Sequence, residues 1–174
     1  MKKIIVAVML MFFSAKTFAQ SDFRQHQVNL NILNVIWLAS VELGYEHYIA
    51  PNQSIEGTIF FNDRFSVFPR KKGEKYRATS IQIGYNYYFD SSDAVGFYIN
   101  PFLKTRFGKY EKDGEEDKNL NAFIIGVGVG YTWVFNSKFV VAPYANIARG
   151  FNNEVNKEYL AVEPNAGVRL GFRF

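Results

Sequence analysis

The chain of 174 residues carries 20 Lys and Arg against 16 Asp and Glu, no cysteine, and a heavy aromatic load of 18 Phe and 11 Tyr. That length suits one domain. Without cysteine, a disulfide framework and a lipid-anchored lipoprotein are both excluded.

The first nineteen residues, MKKIIVAVMLMFFSAKTFA, have three parts. Lys2 and Lys3 precede an apolar run from Ile4 to Phe13, and Thr17-Phe18-Ala19 is a small-x-small tripeptide before Gln20. This is the layout of a secretory signal peptide, with cleavage expected after Ala19 and a mature domain over residues 20–174. The apolar run is too short for a membrane helix, which needs about 20 residues. Removing Lys2, Lys3 and Lys16 takes the balance from 20 against 16 to 17 against 16. Nucleic-acid binding thereby loses its electrostatic support.

From there the period of the chain is two rather than 3.6. Eight strands are predicted at 25–33, 40–49, 54–62, 76–89, 95–107, 122–135, 139–148 and 161–174. In Ala122 to Phe135, one parity holds Phe123, Ile125, Val127, Val129, Tyr131, Trp133 and Phe135. The other holds Gly126, Gly128 and Gly130, where a soluble sheet would show Lys, Glu and Thr to water. Small residues on the second face suit a narrow barrel interior. The segments Tyr76–Phe89 and Val95–Phe107 repeat the design, and Gly84–Phe102 resembles Gly130–Tyr144 as one hairpin resembles another. Pro101, Pro143 and Pro164 fall inside predicted strands, where bulges or breaks are expected.

Connections alternate in length. Ala50–Gln53, Asp90–Ala94 and Asn136–Lys138 are tight, whereas Asp63–Lys75, Gly108–Asn121 and Arg149–Leu160 are long and charged. Short turns on one rim and long loops on the other define an eight-stranded antiparallel up-and-down transmembrane β-barrel, with the short turns periplasmic.

The bulky parity then faces lipid, and the other parity faces the lumen. Glu42, Glu46, Glu56, Lys104, Arg106, Glu163, Arg169 and Arg173 are thus candidates for an interior polar network. Eight-stranded barrels are filled by side chains, so these charges are expected to pair, with Glu42 and Glu46 facing Arg169 and Arg173. The alternative is a polar pathway, a narrow channel for small solutes. A periplasmic lipocalin-like carrier with the same strand count is a third reading, and it would put the bulky residues inside.

Catalysis finds little support. The histidines, His26 and His47, fall near the periplasmic rim, and no Ser-His-Asp grouping, metal-ligand spacing or phosphate-cradling glycine loop occurs. No cofactor is expected. In the loops, Arg70, Lys71, Lys72 and Lys75 form a basic run suited to lipopolysaccharide phosphates, next to an acidic run at Glu111–Asp117.

The ending GVRLGFRF resembles the C-terminal recognition signal of bacterial outer-membrane barrels, carried here by Val168, Leu170, Phe172 and Phe174. The resemblance implies the barrel-assembly machinery as a partner during biogenesis. The mature chain as a whole resembles the small barrels of the OmpA/OmpX-like superfamily. Within it, the closest likeness is to an uncharacterised Bacteroidota-type subset, through Phe18-Ala19-Gln20, LGYEHYI (Leu43–Ile49) and the GVRLGFRF ending. This implies the barrel fold and the outer membrane of a Gram-negative-type envelope, with no assigned activity; a monomer is expected.

Overall fold

The computed structural model describes residues 24–38, 40–63, 74–89, 93–112, 118–151 and 162–174. The expected signal peptide lies outside them. The elements are β1 (His26–Asn31), α1 (Ile32–Leu38), β2 (Val41–Ala50), β3 (Gln53–Phe61), β4 (Glu74–Tyr88), β5 (Gly96–Lys112), β6 (Lys118–Asn119), β7 (Ala122–Phe135), β8 (Phe139–Phe151) and β9 (Val162–Arg173). Strands β1 to β5 and β7 to β9 follow one another around a closed antiparallel barrel, and β9 returns to pair with β1. The two-residue β6 only extends the upper end of β5.

Closure carries a fixed stagger. The registers lead from Val28 through Tyr45, Gly57, Ile83, Leu103, Ile125 and Arg149 to Val162. Extending the β9–β1 register from Val162 reaches position 38, ten positions beyond the start at 28. A shear of this size tilts the strands, and the typical tilt of such barrels is roughly 35–45°.

The parities fall as the composition requires. Ile81, Ile83, Leu103, Val127, Val129 and Leu170 are exposed on the outer face, whereas Asn86, Gln82, Arg106 and Thr132 are buried within. A soluble carrier would show the reverse. Aromatic side chains crowd the lower rim: Tyr131 and Trp133 lie 4.8 Å apart, Phe89 and Phe97 5.7 Å, and His26 and Phe174 5.6 Å between ring centroids. Phe107, Phe123 and Phe151 are exposed near the upper rim. Two aromatic girdles around an apolar band are the mark of a barrel wall in lipid.

The glycine parity of β7 is explained by crowding. A Cβ at Gly130 would lie 2.5 Å from the Tyr98 ring, and one at Gly126 would overlap the Phe102 ring. These rings occupy the lumen that the glycines vacate. At the lower rim, Asn136 and Ser137 take φ of 52° and 55°. They are the central residues of a turn closed by the Lys138 N–H to the Phe135 carbonyl at 3.1 Å, within a three-residue connection, and positive φ at both gives a twist that matches the strands.

The prolines interrupt the ladder without shifting it. Pairing of β4 with β5 skips from Gly84–Phe102 to Tyr87–Ile99, opposite Pro101. Pairing of β7 with β8 skips from Gly130–Tyr144 to Trp133–Val141, opposite Pro143. Each missing rung is the N–H that proline lacks. Pro164 behaves differently, since its pairing with Ile147 shows no gap. His26 and Phe174 exchange reciprocal backbone bonds of 3.2 and 2.9 Å. Backbone polar groups alternate sides along a strand, so the even-numbered residues of β9 point toward β1. Pro164 thus directs its missing donor away from β8.

Several boundaries differ from the sequence reading. β5 runs to Lys112, five residues past 107, and β8 runs to Phe151 rather than 148. The extension of β5 pairs with β4 so that Glu74 stands opposite Lys112 and Lys75 opposite Glu111. The largest difference is α1. The first strand, expected to reach 33, stops at Asn31 because that side chain caps a helix: its Oδ1 accepts from the Asn34 N–H at 3.3 Å.

Lysine at Ile83, Val127 or Leu170 is expected to cost roughly 2–4 kcal/mol near the bilayer midplane, measured by reversible denaturant unfolding in vesicles. Lysine at Phe151, near the upper interface, should cost less by the same measurement.

Candidate functional site

The lumen is filled by polar side chains in three layers, each contributed by several strands. The lowest layer seals the rim with the short turns. Tyr48, Tyr88, Tyr98 and Ala94 pack together there. The Arg173 guanidinium donates to the Tyr48 hydroxyl (2.7 Å), to Gln27 Oε1 (2.7 Å), and to the carbonyls of Asp93 (2.7 Å) and Ala94 (2.9 Å). It also lies 4.6 Å from the Tyr48 ring centre. Ala94, at φ 50°, is held in place by its N–H bond to the Pro51 carbonyl (2.7 Å).

Glu46 belongs to this layer but makes no direct ion pair with Arg173. Its carboxylate accepts from Gln27 (3.1 Å), Asn86 (2.9 Å), the Tyr88 hydroxyl (2.8 Å) and the Ser54 hydroxyl. Gln27 bridges the two, taking the Arg173 guanidinium on its oxygen and donating its amide to Glu46. The expected contact is thus relayed through an amide. A direct pair is unnecessary because the Tyr48 hydroxyl and Gln27 oxygen already accept from the cation.

The middle layer centres on Arg169. Its Nη1 donates to Glu56 Oε2 at 2.9 Å, its Nε lies 3.6 Å from Glu42 Oε1, and its guanidinium stacks 4.4 Å over the Tyr144 ring. Glu42 accepts in addition from Asn31 (2.9 Å), Asn34 (3.2 Å) and the Tyr144 hydroxyl (2.8 Å). Arg169 therefore serves Glu56 more closely than Glu42, and Glu42 is held chiefly by neutral donors.

The upper layer turns on a residue that sequence reasoning assigned to a loop. Asp63 lies just past β3, yet its carboxylate folds back into the lumen. It meets Lys104 Nζ at 2.8 Å, Arg106 Nε at 3.0 Å and the Ser80 hydroxyl at 2.6 Å. Arg106, wholly buried, makes a bidentate pair with Glu163 at 2.8 and 2.7 Å. Bidentate guanidinium–carboxylate geometry is the strong form of this contact. Lys104 also lies 4.2 Å above the Phe60 ring. Between the upper and middle layers remains a cavity of about 20 Å³, lined in part by Gln82, Lys104, Asn146 and Asn165. That volume admits about one water.

All eight interior candidates thus face the lumen and join these layers. Tyr48, Asn86 and Tyr88 lie on the inward parity, as their alternation implies, and Gln27 shares it on β1; nothing local marks Asp63. Of the basic loop residues, Arg70, Lys71 and Lys72 lie outside the described residues, and Lys75 enters β4. The four residues of the terminal signal lie on the outer parity of β9: Leu170, Phe172 and Phe174 are exposed and Val168 is partly so. His26 and His47 stack at 5.0 Å near the lower rim, with His26 Nδ1 sharing a hydrogen with the Tyr45 hydroxyl at 2.7 Å.

Taken together, the closed antiparallel wall, two-faced strands and filled lumen define an eight-stranded transmembrane barrel of the outer-membrane type. The chain belongs to the family described as a protein of unknown function (DUF3575), whose model matches residues 5–170. Among solved structures it is similar to the N-terminal barrel domain of Pseudomonas aeruginosa OprF, with TM-score 0.52 and 13% identity over 86% of this chain and 95% of that one. It also matches Neisserial surface protein A at TM-score 0.49 and 14% identity, over 85% and 90% of the two chains. Ail of Yersinia pestis matches at TM-score 0.45 and 10% identity, over 86% and 93%. No curated protein matches.

Replacing Arg106 by Ala takes the guanidinium from Glu163 in the lumen, while Asp63 keeps Lys104 and the Ser80 hydroxyl. Removing one partner of a buried pair costs about 3–5 kcal/mol, read as a lowered denaturant midpoint in detergent micelles. Glu163→Gln keeps an acceptor for the guanidinium and should lose less than Arg106→Ala.

Proposed function

We propose that the protein resides in the outer membrane as a non-catalytic barrel whose role is structural or surface-interacting. It would be exported by the signal peptide over residues 1–19 and recognised by the barrel-assembly machinery through Val168, Leu170, Phe172 and Phe174. The observation that carries this reading is the sealed lumen. Among the described residues, three side-chain layers fill the narrow barrel and leave between the upper two a cavity with room for about one water, which supports a wall without a path for a solute. Its two histidines are stacked at the lower rim near Phe174, away from the long loops.

Function then belongs to the upper rim, where loops on a rigid scaffold ordinarily carry it. The wall there ends in aromatic side chains, and β4 and β5 extend above it with Glu74 in register with Lys112 and Lys75 with Glu111. The basic run Arg70, Lys71, Lys72 and Lys75 is the natural partner for lipopolysaccharide phosphates, since clustered cations bind them by charge. The barrel is read as a monomer because β1 and β9 close on each other at the lower rim.

Two outcomes test this. Purified protein in planar bilayers should show no steps of ion conductance; regular openings in the wild-type chain would establish the narrow-channel reading instead. Replacing Arg70, Lys71, Lys72 and Lys75 by Gln should weaken lipopolysaccharide binding several-fold at low salt, with heat-modifiable gel mobility retained. Equal binding by the variant would remove the loop assignment.

A further inference from the structure

The chain holds two histidines, and the fold brings them together. His26 on β1 and His47 on β2 stand opposite each other in the antiparallel register. Side chains so placed start from Cβ atoms about 4.5–5.5 Å apart on one face of the sheet. Here that face is the outer one. Both rings are partly exposed, and they stack at 5.0 Å between centroids, 30° from parallel. The Phe174 ring lies 5.6 Å and the Tyr45 ring 6.0 Å from His26.

An aromatic girdle needs only rings, and Phe, Tyr or Trp supply them. Imidazole adds what those lack, a nitrogen lone pair able to hold a metal ion. The tautomer of His26 is tied to the Tyr45 hydroxyl, 2.7 Å from Nδ1. When Nδ1–H donates to that oxygen, the lone pair is on Nε2. Metal-ligating histidines are held in this manner, by a hydrogen bond from the second ring nitrogen. On its other side His47 stands in register with Ile55, which brings no competing polar side chain.

The spacing suits one shared ion. A zinc-sized ion takes each imidazole nitrogen at about 2.0–2.1 Å, so two ligating nitrogens lie within roughly 4 Å of each other. Rings 5.0 Å apart reach that by small rotations about χ2, a broad torsion in histidine. The backbone beneath is fixed on both sides of the pair. Gln27 stands in register with Glu46, and the Tyr48 N–H donates to the Gln25 carbonyl at 2.9 Å. Among the described residues no third His, Cys, Asp or Glu completes the set. Water therefore fills the remaining coordination positions, and the ion is exchangeable.

We propose that His26 and His47 form a cross-strand site for a borderline divalent transition-metal ion on the outer surface of the lower rim. Two nitrogen donors select against Mg(II) and Ca(II), which take oxygen. The general stability order of divalent ions puts Cu(II) above Ni(II) and Zn(II) at such a site. The site lies outside the lumen and far from the long loops, so it is independent of the role proposed for them.

The mature chain, purified without a histidine tag, is titrated with Cu(II) in detergent micelles by calorimetry. One ion per chain is expected, with two imidazole nitrogens resolved by pulsed electron paramagnetic resonance. His26→Phe keeps a ring against Phe174 and removes a ligand, and His47→Phe does the same on β2. Each should weaken binding about tenfold or more, because the second ligand no longer acts at high effective concentration. Cu(II) should also raise the denaturant midpoint of the wild-type chain and of neither variant, since the ion binds the paired strands only when folded. A single imidazole in the resonance spectrum, or an affinity unchanged in either variant, would overturn the site while leaving the non-conducting barrel reading intact. Heat-modifiable mobility confirms that each variant is folded before it is read.

Discussion

A backbone crossing hydrocarbon has no water to satisfy its N–H and C=O groups, so every one must find a partner within the protein. Most features of this molecule follow from that constraint. Eight strands pair in a ring, β9 closes on β1 through the reciprocal bonds of His26 and Phe174, and the ring leaves no free edge over its lower half. Where the ring is incomplete, in the outer half above Asn31, a helix with its own internal hydrogen bonds stands in the gap. The two missing rungs opposite Pro101 and Pro143 interrupt the ladder without disturbing its register.

The same constraint acts on side chains with opposite sign inside and out. The outer parity needs only to be apolar, which is why Ile, Leu, Val and Phe alternate there without interlocking. The inner parity must fill a narrow cylinder and satisfy every polar atom in it. Glycines on β7 yield space to the Phe102 and Tyr98 rings, and the carboxylates and guanidiniums are met by several donors or acceptors each. Among the described residues, the buried side-chain atoms without a bond are Asn29 Nδ2 and Arg169 Nε, and the latter lies near Glu42. A lone buried charge costs several kcal/mol, so the three layers depend on being complete.

How much of this the sequence disclosed follows from range. The period of two is local, so strand positions, lumen-facing residues and the tight turns were legible in order. Strand ends were not: β5 continues to Lys112 because β4 offers a partner at the same height, a fact about tertiary neighbours. α1 was hidden because Ile, Val and Trp are poor helix formers and read as strand. Its cap, Asn31 with Asn34 three residues on, was visible but ambiguous beside an apolar alternation. Asp63 carried no periodic signal, and only the approach of Lys104 and Arg106 from β5 turns it into a lumen residue. Arg173 and Glu46 lie on facing parities as expected, yet Gln27 stands between them, and parity cannot foresee such a relay.

Which parity of the wall meets lipid decides what every strand of the barrel buries. Site-directed spin labelling along β7 measures this directly, by comparing nitroxide relaxation by oxygen with relaxation by a water-soluble nickel chelate. Labels at Phe123, Ile125, Val127, Val129 and Tyr131 should show high oxygen and low nickel accessibility, alternating with low accessibility to both at Ile124 and Thr132. Loss of the alternation, or oxygen access favouring Ile124 and Thr132, would contradict it.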